Sequence, residues 1–129
     1  MQSEIFTLCD AATVTGGKMN LLGSFDSLGA TSFPARHHQC AVACKLRLDE
    51  SDSGEHELVI KIIDPDGNDV LEPSRTQFHK TIGEDRTSVH LHIWHINGFH
   101  LPKPGEFFID LILDGTVLCR QPLHVRVVG

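Results

Sequence analysis

The amino-acid sequence predicts an all-β protein, an antiparallel immunoglobulin-like β-sandwich of about seven to nine strands. Apolar and polar residues alternate with a period of two along most of the chain, as in strands with one buried face. Turn signatures rich in Gly, Pro and Asp separate these segments at short intervals. No stretch has the pattern of a helix of two turns or more. The length of 129 residues predicts one domain, 1–129, with a single core.

The first strands are expected to form a hairpin over residues 4–26 that turns at Gly16 and Gly17. A two-residue loop there predicts four opposed pairs, namely Val14 with Met19, Ala12 with Leu21, Asp10 with Gly23, and Leu8 with Phe25. Asp10 is the one charged residue on this apolar face, so its carboxylate is expected to accept hydrogen bonds from the backbone. Asp26 is expected to have a similar structural role, with Lys18 solvated at the turn.

The middle of the chain is expected to supply several short strands. Residues 29–36 are interpreted as a connection, and clear strand patterns follow at 39–49 and 56–63, with weaker ones at 69–71 and 76–82. A further strand is predicted around residues 89–94, with Val89, Leu91 and Ile93 toward the core. The alternate residues His90, His92 and Trp94 are then expected on the solvent side. Residues 97–104 are interpreted as a connection.

The last 25 residues predict a second hairpin with one apolar face. Odd-numbered positions are apolar on the first strand from Phe107 to Leu113, and the odd positions Val117, Cys119, Leu123, Val125 and Val127 continue the apolar row on the second. A two-residue loop at Asp114-Gly115 would place these two rows on opposite sides of the hairpin. We therefore expect an odd loop, with Gly115 left-handed beside a G1 bulge, which puts both rows on one side. A lone hairpin is marginally stable in water, so the rest of the chain must cover this face.

Composition restricts the partners and the location. The formal net charge is −6 without a basic cluster, which argues against a nucleic-acid partner. No apolar run reaches the length of a membrane span, and the N-terminus lacks the basic start of a secretory signal. A cytoplasmic location is therefore expected. The four cysteines lie inside apolar alternations and are expected to be free thiols, with two disulfides as the alternative: Cys9, Cys40, Cys44 and Cys119.

Nine histidines make a metal site a hypothesis to test. His90 and His92 are two residues apart on a strand and share a face, as in sites where two histidines of one strand bind zinc or another transition metal. His95 is the third candidate ligand. A glutamate at the spacing of the cupin pattern is missing, since Ile96 and Asn97 occupy those positions. The alternative interpretation is that His90 and His92 belong to a solvated stripe, and no cofactor is then expected.

Other chemistry finds little support in the sequence. The acidic loop at 49–55 and the turn at 64–69 resemble calcium loops but lack EF-hand spacing, so solvated turns explain them. A nucleophile elbow is missing, and cysteines in strand interiors are poor thiolates. Gly16, Gly17 and Lys18 match the end of a phosphate loop without its upstream glycine or following helix.

Two stretches carry a family resemblance. The segments LCDAA at residues 8–12 and GGKMNLLGSFD at 16–26 resemble the opening of a bacterial family of about this length, a domain of unknown function. Phe33-Pro34, the IIDPDG turn and the closing hairpin extend the resemblance over nearly the whole chain. The resemblance implies a cytoplasmic β-sandwich and no known activity, and it transfers no catalytic residues.

These observations favour a binding or assembly module without chemistry of its own. Edge strands of a small sandwich are available for pairing, which predicts a homo-oligomer. A metal-dependent enzyme or sensor that uses His90, His92 and a further histidine is the alternative. A sugar- or peptide-binding sandwich with Trp94 as its platform is the third hypothesis.

Overall fold

The computed structural model describes all 129 residues, as nine strands and a single-turn 3-10 helix at Glu50–Asp52. The strands are β1 (Gln2–Thr15), β2 (Lys18–Phe25), β3 (Ser27–Ala30), β4 (Ala35–Asp49), β5 (Gly54–Ile63), β6 (Ser74–Lys80), β7 (Thr87–Leu101), β8 (Gly105–Leu113) and β9 (Thr116–Val127). The predicted all-β fold with seven to nine strands is confirmed.

Two sheets form the sandwich. Sheet A has the strand order β2-β1-β4-β7, and sheet B has the order β3-β9-β8-β5-β6. All neighbouring strands are antiparallel except β3, which pairs in parallel with β9. Residues 29–36, expected to be a connection, include the end of β3. Its four residues were too few to show a period of two.

The core lies between inward rows from both sheets. In sheet A the row of β4 from Cys40 to Leu48 is almost fully buried, as its alternation predicted. In sheet B the inward row of β5 faces the same side as that of β8, because Leu58, Ile60 and Ile62 pair with Leu113, Leu111 and Ile109. Phe99 of β7 and Phe107 of β8 are the largest side chains that are fully buried in this core. Burial of these side chains is the main stabilising contribution of the fold.

The hairpin of β1 and β2 bends away from sheet A and folds over its outer face. β1 pairs with β4 only as far as Cys9, and from Asp10 onward it pairs with β2 alone. A straight β1 would place the hairpin tip roughly 30 Å from Ile5. Instead Lys18 and Ile5 line one cavity. We call residues 10–22 the arm. Between the arm and the outer face of sheet A lies a cluster of four small buried residues, of which Ala12 belongs to the arm, packed against Met19 and Leu21: Cys9, Ala12, Ala41 and Ala43.

The closing hairpin has the predicted sidedness but not the predicted turn. Asp114 and Gly115 form a two-residue loop in which both φ angles are positive, 51° and 82°. The extra residue lies further along β9, because Leu111 pairs with Cys119 while Ile112 pairs with Val117. The prediction of a bulge at Gly115 is therefore wrong. The bulge lies instead at Leu118, which has no partner on β8. It shifts the pairing by one residue, so the two apolar rows still face one side.

Candidate functional site

The histidine row of β7 faces the inside of the sandwich. His90, His92 and Trp94 pair with Leu46, Cys44 and Val42, which are fully buried inward residues of β4. Directly opposed residues on neighbouring strands share a face. The expectation that this row faces solvent is therefore wrong. Its apolar neighbours Val89, Leu91 and Ile93 are on the outer face, where the arm partly covers them.

His90 lies at the open side of the sandwich, where the edge strands β6 and β7 face each other. Its ring stacks on Phe78 of β6, with ring centroids 3.9 Å apart and planes 9° apart. Burial lowers the pKa of His90 to about 4, and the charges of Lys80 and His92 act in the same direction. The imidazole is therefore neutral at pH 7 and packs as an aromatic ring.

His92 continues this row deeper along the strand. Burial also lowers its pKa. The Nε2 atom of His92 is buried without a hydrogen-bond partner, and so is the hydroxyl oxygen of Thr76 on β6. Buried polar atoms without partners are rare in native proteins and cost stability. The third such atom, Nε2 of His37, lies beside Phe25 on another part of the sandwich.

The structure does not bring the three candidate metal ligands together. His95 pairs with Ala41 and is exposed on the outer face of sheet A, opposite to the face of His90 and His92. No three His, Cys, Asp or Glu side chains lie close enough to one another to hold a metal ion. An odd and an even position on one strand point to opposite faces, and the sequence spacing alone already contained that conflict. Trp94 packs against the core rather than forming an exposed platform.

The two candidate structural aspartates have different positions. Asp10 is exposed at the bend of β1, and its side chain lies over Gly23, whose φ is 66°. A β-carbon at residue 23 would lie 2.8 Å from Asp10 Cγ, so this close approach requires glycine. Asp26 links β2 to β3, and its main-chain oxygen accepts a hydrogen bond from the His124 amide at 2.8 Å. Neither carboxylate accepts a hydrogen bond in the structure.

The largest cavity of the molecule lies beside Asp26. It has a volume of about 370 Å³ and is lined by Phe6, Thr7, Leu8, Ser24, Phe25, Asp26, Ile109, Gln121 and Pro122. We call it the crossover cavity, because the chain passes from sheet A to sheet B there. A smaller groove of about 280 Å³ lies between the arm and sheet A, with Lys18 and Lys45 beside apolar side chains.

The cysteines are not arranged for reactivity. All four cysteines are free. Burial raises the pKa of Cys40 to about 11 and that of Cys44 to about 12, so both remain neutral thiols at pH 7.

Asp64 accepts hydrogen bonds from the amides of Asp66 and Asn68, both at 2.9 Å. Asp49 caps the 3-10 helix through the Ser51 amide. These bonds explain the acidic turns without a cation.

One polar cluster was not predicted from the sequence. His56 Nδ1 lies 2.6 Å from Asp114 Oδ2, and His56 Nε2 lies 2.5 Å from the main-chain oxygen of Asp52. Both ring nitrogens therefore face acceptors, and the hydrogen bond to Asp114 raises the pKa of His56 most strongly. The two side chains are 58 positions apart, so no local sequence pattern signals the pair.

Comparisons with known proteins give a family. Residues 4–126 match a family of unknown function (DUF6941). A comparison with curated proteins gives no match. Among solved structures, an immunoglobulin-like protein from Pseudomonas aeruginosa is similar at 13% identity and a TM-score of 0.41, over 92% of this chain and 91% of that one. A putative β-galactosidase from Bacteroides fragilis is similar at 18% identity and a TM-score of 0.46, over 71% of this chain but 15% of that one. The helical part of the structure is the single turn at Glu50–Asp52, which is far too short to span a bilayer.

Proposed function

This chain belongs to a family of unknown function (DUF6941), and we propose that it is a non-catalytic assembly module that pairs with a second copy of itself through the free edge of β7. The family supplies no activity, so the proposal rests on the molecule's own surfaces. A cytoplasmic location is part of the proposal and is supported by the four free thiols.

The observation that carries the proposal is the composition of the β7 edge. β7 has 15 residues, ends sheet A, and pairs with β4 along its length. Its other side presents unpaired backbone groups, which form a template for another strand. Natural edge strands are protected by charges, by proline or by shortness. β7 contains no Lys, Arg, Asp, Glu or Pro.

The other three sheet edges are protected. β2, at the opposite edge of sheet A, folds over as part of the arm. In sheet B, β3 has four residues, and β6 carries Arg75 and Lys80 within seven. β7 is therefore the edge on which strand pairing costs least.

Pairing with a second copy satisfies the geometry of a twofold dimer. Two antiparallel β7 strands related by a twofold axis would join two four-stranded sheets into one of eight. Opposed residues must share a face, so their numbers have the same parity, with His92 opposite His92 or Ile93 opposite Ile93 at the axis. The lowered pKa values of His90 and His92 keep these two side chains uncharged at pH 7.

A role without catalysis is supported by the state of the reactive groups. Cys40 and Cys44 have raised pKa values and are buried. His90 is neutral and stacked, and His56 is held by two acceptors. None of these groups has the exposure that a nucleophile or a general base requires.

Light scattering coupled to size-exclusion chromatography tests the proposal. We expect a mass of twice the 14.3 kDa of one chain. The double variant His95→Lys with Asn97→Lys adds charges at two exposed outer-face positions of β7 and should shift the protein to the monomer. The matched control, Gln77→Lys with His79→Lys, makes the same change at exposed positions of β6 and should remain dimeric. A monomeric parent protein, or equal dissociation of both double variants, would contradict the proposal.

A further inference from the structure

The crossover cavity has an unusual inward polar residue. Gln121 pairs with Ile109, so it belongs to the inward row of β9, whose other members Cys119, Leu123 and Val125 are apolar. Its amide nitrogen has one protein contact, the Cys119 sulfur at 3.8 Å, which is a weak acceptor. Gln121 is exposed, so water meets its remaining hydrogen-bonding capacity, which is available to a ligand in the cavity that it lines.

A hydroxyl pair lies at the rim of the cavity, on the outer-face side of sheet A, because Thr7 pairs with Ala43 and Ser24 with Cys9. Thr7 donates its proton to the main-chain oxygen of Leu8 at 3.0 Å. The contact of 2.6 Å between the Thr7 and Ser24 hydroxyls then requires Ser24 to donate. A hydroxyl has one proton, so only the lone pairs of Ser24 remain for another molecule.

The charge of the cavity has one sign. Asp26 has the only carboxylate among the lining residues, and none of them is Lys, Arg or His. This carboxylate has no ion pair and no hydrogen bond within the protein, while the main-chain bond to His124 fixes the position of the residue. The apolar wall consists of Phe6, Phe25 and Ile109, of which Phe6 and Ile109 are buried.

We infer that the crossover cavity binds a small organic ammonium ion with an apolar body. The ammonium group donates to the Asp26 carboxylate, and the apolar body packs against the Phe6, Phe25 and Ile109 side chains. The volume of about 370 Å³ lies within the range of small-molecule sites, roughly 300–1,000 Å³. The net charge of −6 favours a cation over an anion at long range. This inference does not depend on the assembly proposal, because the cavity is on the side of the sandwich away from β7.

Titration of the full-length ¹⁵N-labelled protein with phenethylammonium tests the inference. We expect saturable amide shifts concentrated at Thr7, Ser24 to Asp26, and Gln121. Two probes of the same shape, neutral 2-phenylethanol and anionic phenylacetate, should bind at least about tenfold more weakly, since they lack the charge that pairs with the carboxylate. Equal affinity for the three probes would show that the cleft binds only by apolar contact, and it would overturn the inference.

Two variants locate the site. Asp26→Asn keeps the size of the side chain and removes its charge, and it should weaken phenethylammonium binding at least about tenfold. Asp10→Asn is the matched control, since Asp10 is also an exposed aspartate of the first hairpin but does not line the cavity, and it should bind like the parent protein. Absence of binding by the folded parent protein, or equal affinity of Asp26→Asn and the parent, would refute the site.

Discussion

His56 and His90 contact the same phenyl ring, yet the fold shifts their pKa values in opposite directions. The ring of Phe78 has its centroid 5.3 Å from that of His56 and 3.9 Å from that of His90. His56 also has two acceptors, the Asp114 carboxylate and the Asp52 carbonyl, which favour the imidazolium form. The ring nitrogens of His90 have no acceptor in the protein. Burial of the ring and the positive charge of Lys80 both favour its neutral form.

This comparison shows which neighbour decides the charge of a histidine. The aromatic contact is common to both, so it does not set the direction of either shift. The direction follows from whether the ring nitrogens meet acceptors that replace the lost water. The two histidines therefore contribute to stability on opposite sides of the ordinary histidine pKa of about 6.5.

Removal of the shared ring is expected to have the largest effect. Phe78→Ala should lower the free energy of unfolding by about 2–4 kcal/mol, because it leaves a cavity against the core. It should also raise the pKa of His90 toward its ordinary value by admitting water, while His56 keeps its raised pKa through Asp114. Urea unfolding and NMR titration of the histidine ring protons measure both quantities.

Phe108→Ala is the control for that variant. Phe108 is also a partly buried phenylalanine, but it lies under Arg120 on the outer side of sheet B. Both histidine pKa values should be unchanged in it. A fall in the pKa of His56 in Phe78→Ala would mean that the ring, and not Asp114, holds that proton.

The acid side of the stability profile is expected to be set by the buried histidines. Because the folded-state pKa values of His90 and His92 are lowered, the unfolded chain binds more protons below pH 6.5, and stability falls as the pH falls toward 4. The loss attributable to His90 should be about 1 kcal/mol between pH 7 and pH 5.5. His90→Phe keeps a stacked ring without a proton site and should flatten this limb in urea unfolding at several pH values. An equally steep limb in His90→Phe would contradict the assignment.

The smallest effect on stability is expected from His56, near neutral pH. The raised pKa of His56 gives a stabilisation that is complete below about pH 6.5 and is lost as the pH rises through the folded-state pKa. Asp114→Asn should remove it and lower the pKa of His56, at a cost of about 0.5 kcal/mol at pH 6, since the Asp114 side chain is 43% exposed. Asn tolerates the positive φ of this position, so the turn should be kept.

Asp66→Asn is the matched control for Asp114→Asn, because Asp66 is also an exposed turn aspartate, paired with Lys103. His56 should titrate in it as in the parent protein. If the histidine titration curves of Asp114→Asn and the parent coincide, the assignment of the His56 shift to Asp114 is refuted.

The strand β7 illustrates the limit of sequence analysis. The alternation of residues 89–94 correctly predicted a strand with two distinct rows. The alternation did not determine which row faces inward, because both rows contain large side chains. The apolar row of Val89, Leu91 and Ile93 was expected in the core. In the structure the arm covers part of the outer face, so Ile93 is sheltered there while His90 packs on Phe78 inside. Sidedness was decided by what lies on each face.

The sequence by itself determined most of the strands, and the turn and register of the first hairpin, where Val14 pairs with Met19 across Gly16 and Gly17. These features depend on residues within a few positions of one another, through side-chain period and turn conformation. Only the tertiary structure decided the fold-back of the arm, the inward direction of the β7 histidines and the pairing of His56 with Asp114. Each of these depends on packing between segments that are distant in the chain, and a local pattern carries no information about which distant segment will cover it.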